Sequence, residues 1–89
     1  MFTSNLRVVC ADGFSMSVQA NATVYCSPRT NNAAKYEEVE VGMPSDKEPL
    51  LMAYCEEPAQ VIINVVAKHG GMIEGELPAG IPVLRASSR

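Results

Sequence analysis

The sequence predicts an α+β domain: a small, mainly antiparallel sheet of four to five strands with an N-terminal hairpin, and one helix at about 58–69 packed on it. Three observations carry that expectation. From position 14 the chain alternates, with Phe14, Met16, Val18 and Ala20 on one side and Ser15, Ser17 and Gln19 on the other, as in a strand with one buried and one wet face. Val61, Ile62, Val65, Val66 and His69 instead recur at three- and four-residue spacing, which is helical. Strand signals come first and the helix late, without the βαβ alternation of a parallel sheet.

Taken in order, Leu6 to Cys10 is rich in β-branched residues and reads as the first strand. Asp12-Gly13 follows as a two-residue hairpin signal, because both residues tolerate positive φ. The alternating stretch from Phe14 to Ala20 returns antiparallel to it. Thr23 to Cys26 reads either as a short strand or as an extended approach to a loop, and Pro28, Asn31 and Asn32 mark an irregular connection. Tyr36 to Val41 predicts a further strand with Val39 and Val41 inward and Glu38 and Glu40 outward, ended by Gly42 and Pro44. Ser45 to Pro49 is a loop. Leu50 to Cys55 is a short apolar run between turn signals and reads as a strand, although Leu, Met and Ala favour helix. Glu56-Glu57-Pro58 looks like a helix start, since proline is tolerated in the first turn and carboxylates there meet the positive end of the helix dipole. Lys68-His69-Gly70-Gly71 looks like its C-terminus. The β-branched run Val61 to Val66 also suits a strand, but these end signals favour the helix. Met72 to Leu77 reads as a last strand, broken by Gly75, and Pro78, Gly80 and Pro82 stop regular structure.

The chain has 89 residues, 47% of them hydrophobic and 19% charged, which is too apolar for a disordered segment. A chain this short buries only about 60–65% of its unfolded surface. The expected organisation is one domain over 1–85 with a flexible tail at 86–89. The net charge of −3 argues against direct binding of nucleic acid or an anionic membrane, which needs a basic face. The start of the chain is mixed and polar, without the apolar run of a secretory signal, and no stretch reaches the length of a transmembrane helix. Three cysteines, Cys10, Cys26 and Cys55, are an odd number and suit a reducing compartment. The expected location is the cytoplasm.

Four constellations bear on chemistry. Cys10, Cys26, Cys55 and His69 form a candidate zinc set, but the sequence holds no close pair of the kind that pre-arranges two ligands in structural sites. A thiolate nucleophile would need a base beside it, and His69, the single histidine, sits at a helix end where such a residue meets terminal carbonyls. Gly70, Gly71 and Gly75 follow the helix, whereas a phosphate-binding glycine loop precedes one. No catalytic residue, metal ligand or cofactor is therefore assigned, and the expectation is a protein that is not an enzyme. Acidic residues are the exception. Glu37, Glu38, Glu40, Asp46, Glu48, Glu56 and Glu57 are seven of the ten acids, and Lys47 is the one base among them, so this segment carries −6 against +3 for the remainder. In separate elements such acids serve as solvated faces and helix ends. Gathered together they would dock a basic surface, with Tyr36 and Tyr54 as interface tyrosines beside them. These nine residues are the candidate partner-binding set. Two-carboxylate hydrolysis is the weaker alternative, since a chain this size has little wall with which to build a cleft.

The segments Val8-Val9-Cys10-Ala11-Asp12-Gly13-Phe14-Ser15-Met16-Ser17-Val18, Tyr25-Cys26-Ser27-Pro28-Arg29, Tyr36 to Ser45 and Lys68-His69-Gly70-Gly71 resemble those of small proteins encoded by bacteriophages and prophages. The resemblance spans most of positions 6–71. It implies an accessory protein that binds and inhibits a host macromolecule in the host cytoplasm, with anti-CRISPR proteins as one class of this kind. It assigns no residue a role. The alternative from another class is a structural module held by zinc on Cys10, Cys26, Cys55 and His69.

Overall fold

A computed structural model of the chain describes residues 5–51 and 56–86. Strands β1 (Val8–Cys10), β2 (Ser15–Gln19), β3 (Glu38–Gly42) and β4 (Glu56–Pro58) precede the helix α1 (Ala59–Lys68), and β5 (Met72–Glu74) follows it. The strands form one antiparallel sheet in the order β4-β3-β2-β1-β5, so the predicted α+β fold with one helix on a sheet is the observed one.

The order explains the helix. β4 and β5 lie at opposite edges, four strand spacings or about 19 Å apart. The ten residues of α1 span about 15 Å and carry the chain most of the way across. Ile62, Val65 and Val66 bury against the inward residues of the strands: Val8, Cys10, Met16, Val18, Val39, Val41 and Met72. The outward residues Val9, Ser15, Ser17, Gln19, Glu38 and Glu40 are half-buried. Sequence alternation in β2 and β3 thus becomes a two-faced sheet, one side under the helix and the other side wet.

The hairpin differs from expectation in its turn. Val8 pairs with Met16 and Val9 with Ser15, which leaves Ala11-Asp12-Gly13 as a three-residue connection. The Cys10 amide donates to the Phe14 carbonyl (2.8 Å) and the Gly13 amide to the Cys10 carbonyl (3.0 Å). Only Gly13 takes positive φ, +95°, while the Asp12 carboxylate accepts from the Phe14 amide (2.9 Å) and stabilises the turn from its own side chain.

Glu56 and Glu57 do not open the helix. They form β4, with Glu40 opposite Glu56 and Val39 opposite Glu57, and the first turn of α1 contains no acid. Proline explains the shift. It disfavours the helical region for the residue before it, so Glu57 is extended, and Pro58 itself (φ −58°, ψ 144°) is the last extended residue before the helix. The Ala59 amide then donates to the Glu37 carbonyl (2.8 Å), so one orphan donor of the helix start is satisfied by the chain leading into β3.

Other boundaries also move. Residues 23–26 form no strand but a turn and bend, and only Ser27 bridges to Glu38. β3 begins at Glu38, not Tyr36. Of the strand expected over Leu50 to Cys55, Leu50 and Leu51 lie outside any strand, in a turn closed by the Leu51 amide on the Glu48 carbonyl (3.1 Å). Residues 52–55, with Tyr54 and Cys55, are outside the described residues. β5 stops at Glu74 because Gly75 (φ +110°) passes so close to β1 that a Cβ there would lie 2.4 Å from the Arg7 carbonyl oxygen. The free side of β5 is partly covered: the Met72 amide donates to the Leu84 carbonyl and the Ala86 amide to the Met72 carbonyl. That pairing blunts one sheet edge. Among the described residues no helix is long and apolar enough to cross a membrane.

Candidate functional site

The acidic segment is divided by the fold. Glu37 is exposed, and Glu38 and Glu40 lie on the wet side of β3, two positions and so about 7 Å apart. Glu56 is the register partner of Glu40 across the β3–β4 pair. These positions share one end of the sheet. Asp46 is exposed in the loop after β3, where its carboxylate accepts from the Lys47 amide (2.8 Å).

Three of the nine predicted partner-binding residues lie inside. Tyr36 is only 3% exposed; its hydroxyl donates to the Thr30 carbonyl (2.5 Å) and accepts from the Ala33 amide (3.2 Å), so it fastens the loop before β3. Glu57 is fully buried, as its inward register opposite Val39 requires. Glu48 is buried too, at the centre of an ion cluster. The contact surface that remains is Glu37, Glu38 and Glu40, with Glu56 in register and Asp46 exposed in the following loop.

The cluster joins three elements. One Glu48 oxygen accepts from the Lys68 ammonium (2.9 Å) and the other from His69 Nε2 (2.5 Å), while His69 Nδ1 donates to Asp12 (2.5 Å). The Phe14 ring stacks on the imidazole, with centroids 4.2 Å apart and planes 12° apart. The hairpin turn thereby meets the end of α1, and backbone bonds reinforce the contact, from the Ala11 amide to Gly71 (2.9 Å) and from the Asp12 amide to His69 (3.3 Å).

The electrostatics decide what the histidine can do. Burial works to lower the His69 pKa, but the two carboxylates outweigh it and raise it. Burial likewise opposes ionisation of Glu48, yet the Leu50 amide, Lys68 and His69 together hold that carboxyl at about 2. Asp12 is lowered by the Phe14 amide and then by His69. An imidazole that donates from both nitrogens is an imidazolium, and it keeps no lone pair for a proton or a metal. Stacking on Phe14 suits the same charged form. Beside the cluster lies an open cleft of about 400 Å³, walled by Asp12, Phe14, His69 and Ser45 to Lys47.

The two described cysteines, Cys10 and Cys26, are equally unsuited to that chemistry. Cys26 is buried and its thiol donates to the Asn21 and Pro28 carbonyls. Burial, then Asp12, raises the Cys10 thiol pKa, the opposite of an activated nucleophile. Among the described residues no three His, Cys, Asp or Glu side chains are grouped to hold a metal ion.

Sequence reasoning placed His69 at the helix end but assigned its partners to terminal carbonyls, and it missed Asp12, Glu48 and Lys68 as one cluster. No local signal links them, because Asp12 and His69 are 57 residues apart. Comparison of the chain with protein-family models, curated proteins and solved structures finds no match.

Proposed function

We propose that this chain is a non-enzymatic binding protein of the bacteriophage accessory type, which inhibits a host macromolecule by covering a basic surface on it. A nucleic-acid-binding defence complex is the partner whose groove has the required charge, and that would make the chain an anti-CRISPR protein. The observation that carries the reading is the placement of Glu38 and Glu40 on the wet face of β3, on the side opposite the helix, with Glu37 exposed just before the strand. A strand presents such side chains at fixed spacing without ordering a loop, which reduces the conformational cost of binding. The commitment of His69 to two carboxylates and the burial of Cys10 and Cys26 fit a binding role better than a nucleophilic one.

Charged groups of this kind chiefly accelerate association and select the partner by sign. The test is a pull-down from host lysate with the wild-type chain and with E37K/E38K/E40K. The wild type recovers one dominant partner, and the charge-reversed chain recovers little of it. Equal recovery by both chains overturns the acidic-face mechanism.

A further inference from the structure

A second concave site lies beside the chain leading into β3. It is a cleft of about 570 Å³, within the rough 300–1,000 Å³ range of small-molecule sites, between the loops around Asn21 and Asn31 and the segment Leu77 to Ala79. Four carboxamides line it: Asn5, Asn21, Asn31 and Asn32. Its lining contains no Lys, Arg, His, Asp or Glu.

The orientations of three amides follow from their bonds. Asn21 is only 7% exposed, and its Oδ1 accepts from both the amide and the hydroxyl of Thr23 (2.8 and 2.7 Å). Its Nδ2 must then point away from Thr23, and among the described residues nothing accepts from it. Asn31 Oδ1 accepts from the Ala22 amide (3.0 Å), which leaves its Nδ2 uncommitted in the same way. Asn5 is reversed: its Nδ2 donates to the Val18 carbonyl (3.3 Å), and Oδ1 is the spare atom. The cleft therefore offers two amide donors and one carbonyl acceptor on side chains whose other ends are fixed. Ala33, Leu77 and Pro78 supply apolar wall between them.

We propose that this cleft binds a neutral, hydroxyl-rich small molecule, a mono- or disaccharide. The lining has no cation for a phosphate or carboxylate and no carboxylate for an amine, so a charged ligand would lose its hydration without a counter-charge. A hydroxyl both donates and accepts, so adjacent sugar hydroxyls satisfy Nδ2 of Asn21 and Asn31 together with Oδ1 of Asn5. The C–H faces of the ring meet Ala33, Leu77 and Pro78. A nucleobase fits less well, because the one aromatic ring in the lining, Tyr36, is buried edge and face, with its hydroxyl already bonded at both donor and acceptor.

The probes are methyl α-glucoside, N-acetylglucosamine and lactose, with adenosine and citrate as the non-sugar arms, each titrated at millimolar concentration into the ¹⁵N-labelled chain. At least one sugar is expected to shift the side-chain amide signals of Asn21 and Asn31 saturably, and adenosine and citrate are not. Asn21→Asp and Asn31→Asp keep an oxygen acceptor for Thr23 and Ala22 but remove the donor facing the cleft. Each should raise the Kd about tenfold while the rest of the spectrum stays native. Asn31 is exposed, so its variant reads the proposal even where Asn21→Asp perturbs folding. Absence of binding by all three sugars, a preference for adenosine or citrate, shifts confined to other residues, or an unchanged Kd in the Asn31 variant would each overturn it.

Discussion

His69 is where a single residue ties the hairpin turn and the loop after β3 to the end of α1, and its charge makes the tie depend on pH. Its folded pKa is raised above the ordinary value of 6.5, so its contribution is complete below that value and is lost as pH rises through the folded pKa. Asp12 and Glu48 are lowered, so theirs is complete above 3.8 and 4.5 and is lost as pH falls through the folded values, about 2 for Glu48. The cluster is at full strength between about pH 4.5 and 6.5. Thermal unfolding should therefore show the Tm falling as pH rises above 6.5, with the slope much reduced in His69→Gln. The scan ends below 9 because the raised Cys10 thiol adds its own loss above that value. Near pH 6 the same variant should cost about 1–2 kcal/mol, chiefly the charged bond to buried Glu48, or roughly 5–15 °C in Tm for a domain of this size. A Tm in His69→Gln that follows the wild-type pH profile would show that the cluster contributes nothing. This residue also marks how far the sequence could be read. Its place at the helix end follows from Lys68-His69-Gly70-Gly71, whereas its bonding to Asp12 and Glu48 depends on tertiary contacts that no spacing in the chain encodes.

At the scale of elements, two glycines separate local conformation from packing. Gly13 closes the hairpin at φ +95° with open space where a Cβ would stand, while Gly75 ends β5 at φ +110° with the backbone of Arg7 and Val8 in that space. Gly13→Ala should cost about 1–2 kcal/mol, the ordinary cost of a left-handed residue. Gly75→Ala adds an overlap with β1 that the sheet cannot relieve without moving, and the expected loss is about 2–4 kcal/mol, measured by denaturant unfolding. Equal losses at the two sites would mean that β5 is not pressed on β1 as described. Elements with a clear period were legible: β2, β3 and the buried stripe Ile62, Val65 and Val66 of α1 lie where alternation or helical spacing placed them. The misreadings share a cause. Glu56-Glu57-Pro58 satisfies the local rules for a helix start, yet an extended segment before proline could also complete a sheet edge, and pairing with Glu38 to Glu40 decided between them. Asp12-Gly13 signalled a two-residue turn, whereas the register of Val8 with Met16 makes the connection three residues long.

For the whole molecule, the sheet separates an apolar side filled by α1 from a wet side, and the charge asymmetry is resolved by that division. The radius of gyration, 12.1 Å, matches the value of about 12 Å expected for a folded chain of this length, so a partner would meet a face already built. The concentration of acids between positions 37 and 57 was plain in the sequence, but burial was not. Glu48 is neutralised inside by Lys68 and His69, Glu57 is enclosed, and Tyr36 holds a loop, so the acidic face is smaller and better defined than charge counting suggests. Glu37, Glu38 and Glu40, with Asp46 in the loop after β3, are what the fold leaves for a basic partner. The most direct measurement is the equilibrium affinity of the wild type and of E37K/E38K/E40K for the captured partner, as a function of salt. An acidic docking face predicts wild-type affinity that weakens as salt rises, and a loss of at least about tenfold in the variant at low salt. Equal affinity of the two chains at low salt would contradict it.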